Sequence, residues 1–193
     1  LGFFDGIHNA HKKVLESAIN YSKKLGTQSA VITFKNHPVE VLWDVKPEFI
    51  TTFEERIEIF KNMGFDIIVM ADFTKELALT NAEDYYKNVI STFHPKSISI
   101  GFNFRFGANQ SGDIKFLEQK AQKDDFILDV TENIKSKNEI ISSTLIRNTI
   151  KQGNMKKVRE LLGYNYKIKS KVLKGVNRGE KLDYRTANLV IPD

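Results

Sequence analysis

The sequence predicts an α/β protein organised around a mainly parallel sheet. Two observations carry that reading: short apolar runs alternate with stretches of helical period, and polar, glycine-containing turns follow the ends of several runs. The runs at 29–34, 66–71, 97–101 and 126–130 read as strands. Helical patterns fall near 9–25, 53–63, 82–93 and 113–123. Strands separated by helices imply βαβ units, whose right-handed crossovers put helices on both faces of the sheet. Ligands of such sheets bind beyond the carboxyl ends of the strands.

The Gly2–His11 stretch follows the expected end of a strand, of which only Leu1 is in the sequence. Two further helices are expected at 143–152 and 154–162, separated by Gly153. After Gly163 the pattern changes. Residues 166–173 alternate as a strand, and 175–188 form a polar segment. We therefore expect one unit over 1–163 and the opening of a second, β-rich unit over 164–193.

Composition narrows the chemistry. The 193 residues include no cysteine, which excludes disulfides, thiolate catalysis and cysteine-based zinc sites. No apolar run approaches the roughly 18 residues of a membrane span, and no signal peptide is visible. A cytoplasmic location, with no membrane partner, fits. The net charge of +5 admits a nucleic-acid binder, but the lysines fall in scattered pairs on helical stretches, as on solvated faces. No nucleic-acid partner is expected. A mild positive field also gathers small polyanions.

Four segments carry candidate chemistry. In Gly2-Phe3-Phe4-Asp5-Gly6-Ile7-His8-Asn9-Ala10-His11, a Gly/Asp turn runs into a helix. The spacing of His8 and His11 puts both imidazoles on one face of its first turn. Free N–H groups and the helix dipole favour an anion there. The pair could instead be two metal ligands, but no third His or Glu clusters with them. In Ile141-Ser142-Ser143-Thr144-Leu145-Ile146-Arg147, hydroxyl residues precede an apolar-periodic run, as at any helix N-cap. Arg147 lies one turn in, where dipole logic favours an acid, and this points to a bound anion. Gly101-Phe102-Asn103-Phe104-Arg105-Phe106-Gly107 follows a strand; Asn103 and Arg105 either face a cleft or sit on a rigid aromatic corner. In Thr33-Phe34-Lys35-Asn36-His37-Pro38, His37 is held extended by the proline and either lines a cleft or starts a loop.

This ordered set resembles the bacterial bifunctional riboflavin kinase/FMN adenylyltransferase (FAD synthetase) family. The resemblance spans about residues 2–163 and implies a Rossmann-like nucleotidyltransferase domain followed by the first part of a β-barrel kinase domain. It implies an adenylyltransferase that moves AMP from ATP to FMN, giving FAD and pyrophosphate, with Mg²⁺ accompanying ATP and no metal held by protein ligands alone. His8 and His11 would act on the ATP phosphates. Phe3, Ser142, Ser143, Thr144 and Arg147 would bind ATP. Asp5, His37, Asn103 and Arg105 would lie on the FMN side. Gly175, Arg178-Gly179 and Thr186-Ala187-Asn188 are similar to the entry loop of the kinase module, where Thr186 and Asn188 would meet Mg-ATP. Riboflavin would then be a substrate of a longer parent, with no kinase activity expected of these residues.

The sequence departs from the family at Ala10, where glycine is usual, and at Asn36, where proline is usual. It also departs at Asp183 (usually glycine) and Arg185 (usually proline). Two other readings stay open: a related nucleotidyltransferase with another phosphate acceptor, and a non-catalytic nucleotide- or flavin-binding module.

Overall fold

The structure is a computed structural model and describes residues 1–173 and 187–190. Helix α1 (Asn9–Leu25) buries Val14, Leu15, Ile19 and Ser22 along one side. It stops at Gly26, whose φ of 63° is the left-handed geometry of a C-terminal cap. Strand β1 (Ala30–Phe34), helices α2 (Pro38–Trp43) and α3 (Phe53–Met63), and strand β2 (Ile67–Ala71) follow. Helix α3 opens with a reciprocal cap between Thr52 and Glu55. Strands β1 and β2 pair in parallel, from Ala30 opposite Ile67 to Phe34 opposite Ala71.

The second half repeats this logic. Helices α4 (Lys75–Leu79) and α5 (Ala82–Tyr85) lead to strand β3 (Ser97–Gly101), helix α6 (Ile114–Asp124) and strand β4 (Ile127–Thr131). Strands β3 and β4 pair in parallel, Ser97 opposite Ile127 and Gly101 opposite Thr131. A hairpin of β5 (Lys135–Ser136) and β6 (Glu139–Ile140) turns through Lys137 and Asn138, both at positive φ (47° and 71°). Two-residue hairpin turns of this hand match strand twist. Helices α7 (Ser143–Lys151) and α8 (Met155–Leu162) follow, and β7 (Val172–Leu173) pairs antiparallel with β8 (Asn188–Leu189).

Helix α1 holds the halves together. Its Leu15 and Ile19 pack with Val31 of β1 and Phe60 of α3, while its Ser17 hydroxyl donates to Asp129 of β4 at 2.7 Å. A second cluster gathers Tyr85, Tyr86, Ile100, Phe106 and Leu117, and a third joins Ile50 and Ile141 to Ile146, Val158, Leu161 and Leu162. The third fixes α7 and α8 beside the start of α1, because Ala10 packs against it.

The βαβ pattern is as expected, with strand limits within one residue, but the arrangement needs four corrections. The sheet is not continuous: among the described residues it consists of two parallel pairs. The edges of β1 and β3 face each other across an apolar cleft of about 430 Å³ lined by Leu1, Val31, Ile98 and Ile100. One hydrogen bond, Gly2 N–H to Ile32 carbonyl at 2.9 Å, runs along that edge.

The helix expected over 82–93 is α-helical only to Tyr85, then widens to a π turn over Tyr86–Ile90 and tightens to a 3₁₀ turn over Ser91–Phe93. Both Tyr85 and Tyr86 are buried, the second reaching Asp124 at 2.7 Å, and the Ser91 and Thr92 hydroxyls compete for main-chain carbonyls. The strand expected over 166–173 survives only as Val172–Leu173; Tyr166 instead packs against the third cluster. Helices α2 and α4 and the β5–β6 hairpin were not expected.

Candidate active site

The turn before α1 holds three residues at positive φ. Phe4, Gly6 and Ile7 have φ of 57°, 76° and 33°. Left-handed backbone suits Gly6, where a Cβ would also lie 3.0 Å from Ile50 Cγ2. It is costly for β-branched Ile7, so the surroundings must impose it. They do so through several hydrogen bonds. Gly6 N–H donates to Thr51 Oγ1 at 2.9 Å, the Gly6 carbonyl accepts from the Tyr164 phenol at 2.6 Å, and Ser143 Oγ donates to the Asp5 carbonyl at 3.0 Å.

His8 is buried and serves as the N-cap of α1, its Nδ1 accepting the main-chain N–H of His11 at 3.2 Å. An accepting Nδ1 carries no proton, so neutral His8 presents Nε2–H. The two imidazoles stack with centroids 3.6 Å apart. Burial lowers the pKa of His8 to about 4. Burial, then the neighbouring His8, holds His11 well below its ordinary value. The pair is therefore neutral near pH 7, offering N–H dipoles rather than two cations. His11 Nδ1 is buried without a hydrogen-bond partner among the described residues.

Two segments distant in sequence converge on Asp5. Its carboxylate accepts from the main-chain N–H groups of Ile50 (3.0 Å) and Thr51 (3.2 Å) and pairs with Arg147 at 2.7 Å. Arg147 also donates from Nε to the Glu48 carbonyl at 2.7 Å. The start of α7 thus lies against the turn that starts α1, and two helix N-termini face one turn. Ser142 is occupied as the N-cap of α7, accepting from Leu145 N–H; Thr144 is exposed.

His37 joins the same rim. It caps α2 through Nδ1, lies edge-on to Phe3 with centroids 4.5 Å apart, and neighbours Phe49. Burial, then the nearby Arg147 charge, lowers its pKa. Asn36 exchanges two 2.8 Å hydrogen bonds with Phe73, which fastens this loop without a proline. The methyl of Ala10 packs against the α7–α8 cluster.

Asn103 and Arg105 are exposed at the end of β3, and neither hydrogen-bonds to the histidines, Asp5 or Ser143 among the described residues. Gly101 nevertheless sits near Val14, one helical turn beyond His11, so this corner faces the first half of α1. Asn188 lies in β8 and is exposed, whereas Gly175, Arg178, Gly179, Asp183, Arg185 and Thr186 lie outside the described residues.

Arg56 was missed from sequence. It is 1% exposed in α3, donates to the carbonyls of Phe3 and Phe34, and stacks 3.7 Å over the Phe3 ring. Burial lowers its pKa to about 10, so it remains charged. The signal was a charged residue on the apolar stripe between Phe53 and Phe60. Lys12, read as solvated, caps the Leu162 carbonyl at 3.1 Å.

With this geometry in place, comparison with known proteins is decisive: the FAD synthetase family model matches residues 1–145. The chain belongs to the FAD synthetase family. A second model, riboflavin kinase, matches residues 162–193. Relatives named bifunctional riboflavin kinase/FMN adenylyltransferase include that of Listeria monocytogenes, 30% identical, with 98% of this chain and 60% of the relative covered. That of Buchnera aphidicola from Schizaphis graminum is 33% identical, with 98% and 62% covered. That of Bacillus subtilis is 30% identical, with 98% and 60% covered. This FAD synthetase family chain therefore spans about 60% of the length of these curated relatives. A crystal structure from Streptococcus pneumoniae described as a macrolide-efflux protein aligns with a TM-score of 0.89 at 29% identity, covering 100% of this chain and 63% of that one. Among the described residues of this family member, no helix is long and apolar enough to cross a membrane.

Proposed function

We propose that this chain transfers the adenylyl group of ATP to FMN, giving FAD and pyrophosphate. The observation that carries the reading is the 3.0 Å bond from Ser143 to the Asp5 carbonyl, which sets the start of α7 against the His8–His11 turn. A triphosphate between two helix N-termini meets main-chain N–H groups, the His8 Nε2–H and the Arg147 region from several sides.

In the reaction an FMN phosphate oxygen attacks the α-phosphorus of ATP in line. The new P–O bond forms as the bond to the β-phosphate bridging oxygen breaks, and the electron pair leaves with pyrophosphate. The protein's part is positioning and neutralising charge on the transferring and leaving phosphates. His8 and His11 donate to the phosphates; Phe3 and His37 border the substrate; Ser143, Thr144 and Arg147 serve the β- and γ-phosphates. Asn103 and Arg105 serve the FMN end.

Among the described residues no group of three His, Asp or Glu gathers to hold a metal, and the Asp5 oxygens are taken by Ile50, Thr51 and Arg147. We read Mg²⁺ as part of the substrate, carried on phosphate oxygens and water. Residues 1–163 are read as the adenylyltransferase unit and 164–193 as the opening of a riboflavin kinase unit.

Incubating the chain with ATP, Mg²⁺ and FMN tests the reading by chromatography of FAD and release of pyrophosphate. FMN binding without turnover would replace it with a binding module, and turnover only with another phosphate acceptor would replace it with a sibling transferase.

A further inference from the structure

The Gly6 peptide is gripped from both sides. Thr51 takes its N–H, and the Tyr164 phenol donates to its carbonyl at 2.6 Å. Tyr164 reaches this point because the exit of α8 is strapped to the first turn of α1. Asn9 donates from its side-chain amide to the Glu160 carbonyl at 2.9 Å, and Lys12 Nζ donates to the Leu162 carbonyl at 3.1 Å and lies 5.0 Å from the Tyr164 ring centre. Gly163 makes the approach possible. Its φ is 73°, and a Cβ there would stand 2.2 Å from Asn9 Oδ1.

We infer that Tyr164 is a positioning residue for the histidine pair, fixing the Gly6–Ile7 backbone and through it the direction of His8. The inference rests on the adenylyltransferase reading for its kinetic arm only. Gly6 and Ile7 hold consecutive left-handed conformations immediately before His8. An unanchored Gly6 carbonyl lets this peptide rotate, and His8, two residues on, turns with it. Tyr164 also lies within the stretch, 162–193, that matches riboflavin kinase. The segment opening that second stretch is thus wired to the phosphate turn of the first.

Tyr164→Phe keeps the ring over Lys12 and removes only the hydroxyl. We expect kcat for FAD formation to fall about three- to tenfold, the range of one hydrogen bond lost from a preorganised site, with KM for ATP within about twofold. The ¹⁵N and ¹H resonances of the His8 ring shift in the ligand-free variant. Tyr166→Phe, in the same cluster but without a bond to Gly6, leaves both readouts unchanged. Wild-type kcat in Tyr164→Phe overturns the inference, as do unshifted His8 resonances or an equal kcat loss in Tyr166→Phe. If the wild-type chain makes no FAD, the functional reading fails, and the His8 resonances alone decide the positioning role.

Discussion

The Arg147 guanidinium lies 2.7 Å from Oδ2 of Asp5, joining residues 142 positions apart. The pair ties α7 to the turn before α1, and the same carboxylate holds Ile50 and Thr51. Asp5 is 3% exposed. Removing one partner of a buried pair strands the other charge, at about 3–5 kcal/mol. Because 24% of the Arg147 side chain still meets water, Asp5→Asn should destabilise by the lower figure, about 3 kcal/mol, in urea unfolding. A loss below about 1 kcal/mol would mean that the pair is no more than a surface contact.

Arg147 has two duties in this arrangement: it braces the 48–51 segment through the Glu48 carbonyl, and it stands one turn inside the start of α7. On the proposed reading, Arg147→Ala should weaken ATP binding more than FMN binding in calorimetric titrations, because only ATP would bring a polyphosphate tail to that helix end. Equal losses for both ligands would reduce Arg147 to a brace.

Burial, then the neighbouring His8, lowers the pKa of His11, and its buried Nδ1 has no hydrogen-bond partner among the described residues. On the proposed reading, His11 is a neutral donor fixed beside the transferring phosphate and needs no reorganisation during the reaction. His11→Ala should lower kcat for FAD formation by ~10²-fold or more, the size of one oxyanion-type donor. Full activity at saturating ATP would remove His11 from the chemistry.

Much of this was legible in the sequence for local reasons. Helix α1 was legible as a helical pattern near 9–25, and β3 as an apolar run before Gly101. The Ser142 cap followed from residue type alone. What stayed hidden depends on contacts between distant residues. The apolar stripe of α3 marks Arg56 as facing inward, but nothing local says that it will satisfy the carbonyls of Phe3 and Phe34. The π turn begins at the second of two adjacent buried tyrosines, Tyr85 and Tyr86, where the Tyr86 phenol reaches Asp124, 38 positions on, at 2.7 Å. The strand expected from 166 fails for a similar reason: Tyr166 finds an apolar partner surface on α7 and α8, and the alternation that suggested pairing is used for packing.

The depressed histidines give the fold a pH dependence of defined sign. An unfolded histidine binds its proton below about pH 6.5, while folded His8 resists protonation down to about 4. Between these values the unfolded chain holds more protons, so stability rises with pH and is lost as pH falls through that window. His8 alone accounts for about 3 kcal/mol at most across it, and His11, lowered by burial and by His8, acts in the same direction. His8→Asn isolates the effect because asparagine keeps an N-cap acceptor for α1 and has no titrating group. Denaturant unfolding should show the gap between wild type and His8→Asn narrowing by about 2 kcal/mol from near pH 7.5 to near pH 4.5. A constant gap would mean that His8 titrates normally in the folded protein and is a cation at the acid end of that range.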